Sequence, residues 1–283
     1  MKIESTAQAA AYFDAQQKSL TLFVFVINRV LTTDWVAHTA KAALDGKALD
    51  PDFSPSELAR TDPGKSTKFL RSRRQELLEM FVAREVDNFQ VYLVDAIRAS
   101  LKKQPNVLKT SSESLTLEYV LEFKSTEELL QAIVEQKVQN LSYEGFGRLR
   151  SWCSRKGIVI EIPPDSEASI VELIACRNVI AHNRGVVDQR YLDAVPSSRF
   201  KVGSPRELET DDLFGAARLL RQIVQDTDRS LVAKFSLQTR EYDFRSIHPE
   251  EEPNKSPQRN AGGRPSSDDS PASETPSPLG PVG

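Results

Sequence analysis

The stretch KFLRSRRQELLEMFVAREVDNFQVYLVDAIRASLKK, residues 68–103, decides the fold. Leu77, Leu78, Phe81, Val82, Val86, Phe89, Tyr92, Leu93, Ala96 and Ile97 recur at three- and four-residue steps. That is the period of one helix face, not the alternation of a strand. Pro105 closes the segment, because a proline cannot donate into a continuing helix.

On the N-terminal side, Gly46, Pro51, Pro55, Pro63 and Gly64 break regular structure between residues 46 and 67. Before them, Thr6 to Leu44 reads as one or two helices, with Phe13, Leu20, Phe23, Val24, Ile27, Val30 and Leu31 at helical spacing. The C-terminal side continues in helices. Leu115 to Phe123 is a short one, and Ser125 with Glu128 forms a capping box that opens a helix to Leu141. Ser142 to Lys156 holds another, followed by a brief extended piece from Gly157 to Ile162. Asp165 or Ser166 then caps a helix to Asn183, with Gly185 as its left-handed terminator. Asp211 to Phe235 is amphipathic through Leu213, Phe214, Ala217, Leu220, Ile223, Val224 and Leu231. The expected class is therefore all-α. Its organisation is an N-terminal helical extension (1–60), a helical domain (61–247) and a Pro/Ser-rich tail (248–283) too poor in apolar side chains to order itself.

Composition limits the function. The net charge of −3 is carried by Pro249–Gly283, which holds six acids and three bases, so residues 1–248 are neutral and any nucleic-acid surface must be a local patch. Cys153 and Cys176 make no disulfide framework and have no metal-ligand spacing, which fits a reducing, cytoplasmic setting. The apolar run Leu20 to Ile27 is far short of the ~20 residues a membrane span needs, so no membrane anchor is expected. Pro63-Gly64-Lys65-Ser66-Thr67 echoes the end of a phosphate-binding loop, but Ala59 stands where its first glycine belongs and no strand precedes it. His38 reads as a packed or surface histidine, His248 has no evident partner, and Cys176 reads as a buried thiol.

The stretch with chemistry in it is Ser169-Ile-Val-Glu-Leu-Ile-Ala-Cys-Arg-Asn-Val-Ile-Ala-His-Asn-Arg-Gly185. Ile170, Leu173, Ile174 and Ala181 define a stripe expected to be buried, and Arg177 falls inside it. A core-facing arginine needs a carboxylate or an anionic ligand. Asn178 and His182 are one turn apart, so a cation, an amide and an imidazole meet near one place. These types suit RNA cleavage by 2′-OH transesterification. His182 takes the 2′-OH proton or protonates the leaving 5′-oxygen, Arg177 holds the scissile phosphate, and Asn178 orients His182 or binds a phosphate oxygen. No metal or other cofactor is called for. The same residues also make ordinary helix-end chemistry, since a cation and a histidine in a last turn complement the dipole.

Arg177-Asn178-x-x-x-His182, continued through Asn183-Arg184-Gly185 to Tyr191-Leu192, resembles the R-x(4–6)-H signature of HEPN domains. The helix ending in Ala99-Ser-Leu-Lys-Lys-Gln-Pro105, the Ser125–Leu141 helix and Leu141-Ser-Tyr-Glu-Gly-Phe146 also look like this family's approach to its motif helix, so the resemblance covers about residues 68–236. It implies a helical bundle that homodimerises with two motifs facing one cleft. It also implies a metal-independent endoribonuclease in toxin–antitoxin, phage-defence or RNA-processing systems, with RNA as substrate and an antitoxin or regulator as a further partner. The alternative within the family is a non-catalytic module binding RNA or protein, with Arg177 in a structural ion pair to a carboxylate such as Glu122 or Glu144. A third reading is a helical scaffold unrelated to RNA. Basic clusters stand at Lys68, Arg71, Arg73 and Arg74, at Lys102 and Lys103, and at Arg148, Arg150, Arg155 and Lys156, each expected to be a solvated face unless it lines the cleft. Tyr143, Phe146, Trp152 and Tyr191 are the aromatics near enough to stack a base, with core packing the usual role.

Overall fold

Ten α-helices, two short 3-10 turns and one two-stranded ribbon are found in the described part of the chain, residues 2–48, 53–109 and 114–244 of a computed structural model. For Ser142 and Tyr143 the description stops at the backbone. The tail expected to be disordered, 248–283, lies outside these residues, and so does His248.

The long N-terminal segment is one helix, α1 (Ala7–Leu44). The Thr6 side chain accepts from the Ala9 N–H and so caps it. Asp228 draws that helix start onto the last helix of the bundle, accepting from the Thr6 amide at 2.9 Å and from its hydroxyl at 2.6 Å. A buried carboxylate at the positive end of a helix is well placed. Even so, burial pushes its pKa up, and the two Thr6 bonds only partly offset that.

The break after α1 yields two short helices, α2 (Pro55–Thr61) and α3 (Lys65–Ser72), before α4 (Arg74–Lys103). The expected single segment over 68–103 is thus divided at Arg73, whose ψ of 14° leaves the helical region. At its other end α3 is anchored to α1: the Asp34 carboxylate accepts from the Ser66 and Thr67 N–H groups at 3.1 and 2.7 Å. A Cβ on Gly64 would sit 2.4 Å from the Asp34 carboxyl, so this approach needs glycine. The carboxylate thus occupies the place a phosphate would need in the loop that Lys65-Ser66-Thr67 echoes.

Beyond α4 come α5 (Leu117–Leu121), α6 (Thr126–Tyr143), α7 (Phe146–Arg155), α8 (Glu167–Asn183), α9 (Gln189–Ala194) and α10 (Thr210–Phe235). Ser125 caps α6 as expected, while the Glu128 carboxylate accepts from Lys124, one residue earlier than a capping box requires. The stretch 157–162, expected to be extended, forms no strand: Gly157 turns at φ 71° where α7 ends, Ile158 and Ile160 are buried and Val159 is exposed. The strands are β1 (Lys2–Ser5) and β2 (Arg240–Asp243), antiparallel, with Ile3 opposite Tyr242.

α4 and α10 are the axis of an all-α bundle and contribute to both halves of its core. One half packs Phe13, Phe89, Tyr92, Leu101, Trp152, Ile170 and Phe235; the other packs Leu20, Phe23, Leu78, Phe81, Val179, Tyr191 and Leu213. Burying a leucine or phenylalanine stabilises by about 1.5–3 kcal/mol, so these contacts carry the fold. The first half of α1 belongs to this core. The packing therefore does not divide at residue 60.

The whole of α1 is long and apolar enough to cross a membrane by length and composition, with a window of mean hydropathy 1.4 that is only 17% buried. Leu20 and Phe23 nevertheless pack inside the protein and Asp34 holds α3, while Leu22, Phe25 and Val36 are exposed.

Candidate functional site

α8 packs on α4 along one side and on α9 along the other, which widens its buried face. Ile170, Ala175, Cys176 and Val179 are buried, Leu173 and Ile174 are half-buried, and Ala181 is exposed. The stripe expected through Ala181 therefore turns away through Ala175, Cys176 and Val179, and Arg177 flanks it instead of lying within it. Burial pushes the Cys176 thiol up to about 12, so it is a packing group rather than a thiolate. Cys153 behaves the same way.

The end of α8 fixes His182. Arg184 takes the left-handed conformation (φ 53°) one residue earlier than expected, followed by Gly185 at φ 75°. The Gly185 N–H donates back to the Val179 carbonyl at 2.9 Å. A Cβ on Gly185 would lie 2.3 Å from a Glu79 oxygen, so both conformation and close approach demand glycine.

The structure opens Asn178 and His182 onto one cavity, while Arg177, still within a long hydrogen bond of Asn178, opens onto another. Both Asn178 and His182 are exposed and line a cavity of about 510 Å³. Phe146, Val171, Ile174 and Val179 give it an apolar wall, and Asp188, Arg190 and Tyr191 close the far side. Arg177 lines a second cavity of about 400 Å³, with Asp87, Gln90, Val91 and Leu141. Phe146 lies between, lining both. The Arg177 Nε donates to Asp87 Oδ1 at 2.7 Å, and its Nη1 reaches Asn178 Oδ1 at a long 3.4 Å. The carboxylate expected for Arg177, Glu122 or Glu144, is thus Asp87 of α4, about two-fifths exposed beside a guanidinium one-quarter exposed.

Sequence reasoning singled out Tyr191 on the far wall but not Asp188 or Arg190. Asp188 caps α9 by accepting from the Tyr191 N–H at 2.9 Å. Tyr191 itself is buried, its hydroxyl donating to Glu172 on α8 at 3.1 Å and accepting from Arg206 Nε at 3.1 Å. Arg206 Nη2 also reaches Glu172 at 2.9 Å, and its guanidinium lies 4.7 Å from the Phe200 ring centre. This brace locks α9 to α8 and so places Arg190 at the cavity. A capping Asp188 three residues before Tyr191 was the legible signal for α9; the brace had none, since Arg206 is 34 residues from Glu172.

Trp152 is a core residue, Tyr143 has no described side chain, and Phe146 and Tyr191 both line the cavity, Tyr191 as a residue otherwise buried in the core. No residue of the three basic clusters lines it. Arg74 pairs with Glu209, Arg73 with Glu76, Lys102 with Glu135 and Arg150 with Glu167. His38 lies against Phe53, ring centres 5.6 Å apart. Among the described residues no three His, Cys, Asp or Glu side chains converge as metal ligands. Comparison with family models, with curated proteins and with solved structures finds no match to this chain.

Proposed function

We propose that this protein is a metal-independent endoribonuclease of HEPN type, cleaving RNA by 2′-OH transesterification in a toxin–antitoxin or phage-defence setting. The observation that carries the reading is the shared cavity: Asn178 and His182, one helical turn apart, open onto one space with an apolar wall. In this reading His182 takes the proton of the 2′-hydroxyl or delivers one to the departing 5′-oxygen. The 2′-oxygen bonds to phosphorus as the 5′-oxygen leaves, giving a 2′,3′-cyclic phosphate and a 5′-hydroxyl. Asn178 donates to a phosphate oxygen or holds the imidazole. The active form is a homodimer that brings two copies of His182 to one cleft, and an antitoxin or other regulator is its further partner. Its place is the cytoplasm, because inserting α1 into a bilayer would strip Leu20 and Phe23 from the core and α3 from Asp34.

A second reading draws on the Arg177–Asp87 pair: a non-catalytic module binding RNA or protein, in which Arg177 ties α8 to α4. Incubation of wild type and His182→Ala with end-labelled total RNA in EDTA separates the two. Cleavage by wild type alone, leaving cyclic phosphate ends, is the expected result; equal cleavage by both proteins removes His182 from the chemistry. Cleavage by neither favours the binding module.

A further inference from the structure

We infer that the cavity beside His182 is a nucleotide site in which Arg190, not Arg177, grips the phosphate, while Arg177 acts as a positioning residue through Asn178; this rests on the nuclease reading above. Arg177 has two disadvantages as the phosphate cation. Its Nε is committed to Asp87, which leaves the pair neutral, and it opens onto the other side of Phe146. Arg190 is exposed, has no ion pair among the described residues, and is the arginine or lysine that lines the His182 cavity among them. Its backbone is held by the neighbouring Tyr191, pinned to Glu172 and Arg206, and by the Asp188 cap. A long flexible cation on a fixed base, facing an imidazole across a cavity, is suited to a bidentate grip on phosphate.

The rest of the lining names the ligand class. Phe146, Val171 and Ile174 offer an apolar wall for a flat base, while Arg190, His182 and Asn178 supply cation, proton carrier and amide for its phosphate. The volume of about 510 Å³ lies within the usual range for small-molecule sites and suits a single nucleotide of a strand.

Adenosine 3′-monophosphate is the probe. Its titration is followed by proton NMR of the His182 imidazole, assigned by its loss in His182→Ala, in wild type, Arg190→Ala, Arg190→Lys and Arg177→Ala. Wild type should bind, Arg190→Ala should lose affinity at least about tenfold, as expected for one charge-assisted contact, and Arg190→Lys should recover part of it. Arg177→Ala should bind within about threefold of wild type. With RNA as substrate, Arg190→Ala should raise KM, whereas Arg177→Ala should lower kcat at unchanged KM. No perturbation of His182 in wild type, or loss of affinity in Arg177→Ala with Arg190→Ala unchanged, overturns the inference. Binding through Arg190 without any RNA cleavage would refute the nuclease reading and leave this site standing. Cleavage by wild type with an unaltered KM in Arg190→Ala would do the reverse.

Discussion

Among the arginine–carboxylate pairs that reach α8, Arg206–Glu172 and Arg177–Asp87 differ in what surrounds them. Arg206–Glu172 is buried on the arginine side, with one-tenth of that side chain exposed. It is completed by the Tyr191 hydroxyl, the Phe200 ring and the Glu207 carbonyl. Arg177–Asp87 is wetter on both sides and has one well-formed bond. A buried charge must be satisfied at every donor or the desolvation penalty goes unmet, so Arg206 is locked into place. A half-exposed pair contributes little and can reorganise when a ligand arrives. A guanidinium and a carboxylate therefore build a brace in one pair and an adjustable tether in the other.

The sharpest way to break this comparison is Arg206→Ala. It strands Glu172 and the Tyr191 hydroxyl and frees α9, so stability should fall by about 3 kcal/mol, discounted for the partial exposure of Glu172. Urea unfolding measures it; a loss under about 1 kcal/mol would make the brace no more than a surface pair. Gly185→Ala attacks the same corner through the backbone, because the Gly185 carbonyl accepts from the Arg206 N–H at 2.8 Å. The added methyl meets Glu79 and the positive φ is strained, so a loss of about 1–2 kcal/mol is expected by the same assay.

How far the sequence could be read follows the same division. Helical period and caps revealed the long helices, since both are local: the Ser125 cap and the Leu213–Leu231 spacing each act within a few residues. The Asn178–His182 proximity was legible for the same reason. Asp34 as the anchor of α3, Asp87 as the partner of Arg177, and the Arg206 brace were not, because each joins residues more than thirty apart. The exposed Ala181 shows the limit of the period itself: which side of a helix is buried depends on how many neighbours it has. The short α9 has too few residues to show a period at all.

Glu85 sharpens the comparison from a third position, a carboxylate fully buried without an arginine bonded to it. Gln16 Nε2 donates to it at 2.9 Å, and Gln16 Oε1 accepts from Arg221, so the cation is one residue removed. Burial raises the Glu85 pKa, outweighing the Gln16 bond and the more distant arginines. The folded state then holds its proton more tightly than the unfolded chain. This contribution to stability is complete below the ordinary glutamate range and is lost as pH rises through the folded pKa. Glu85→Gln should flatten that slope and raise the Tm at pH 8 while changing it little at pH 4. An unchanged pH profile would mean that Arg221 reaches Glu85 well enough to act as its counter-ion.

Arg177→Ala should have the smallest effect on stability, under about 1 kcal/mol, because both partners keep much of their hydration. The contrast with Arg206→Ala then becomes quantitative, and a double variant should be additive, since the two arginines share no hydrogen-bond partner. A loss of about 3 kcal/mol instead would make Arg177 a second brace and favour the non-catalytic module. Asp87→Asn separates these outcomes further. It keeps an acceptor for the Arg177 Nε but removes the countercharge, so a mere tether should tolerate it and leave the affinity for adenosine 3′-monophosphate unchanged, whereas tighter binding would put Arg177 on the phosphate and overturn the assignment to Arg190.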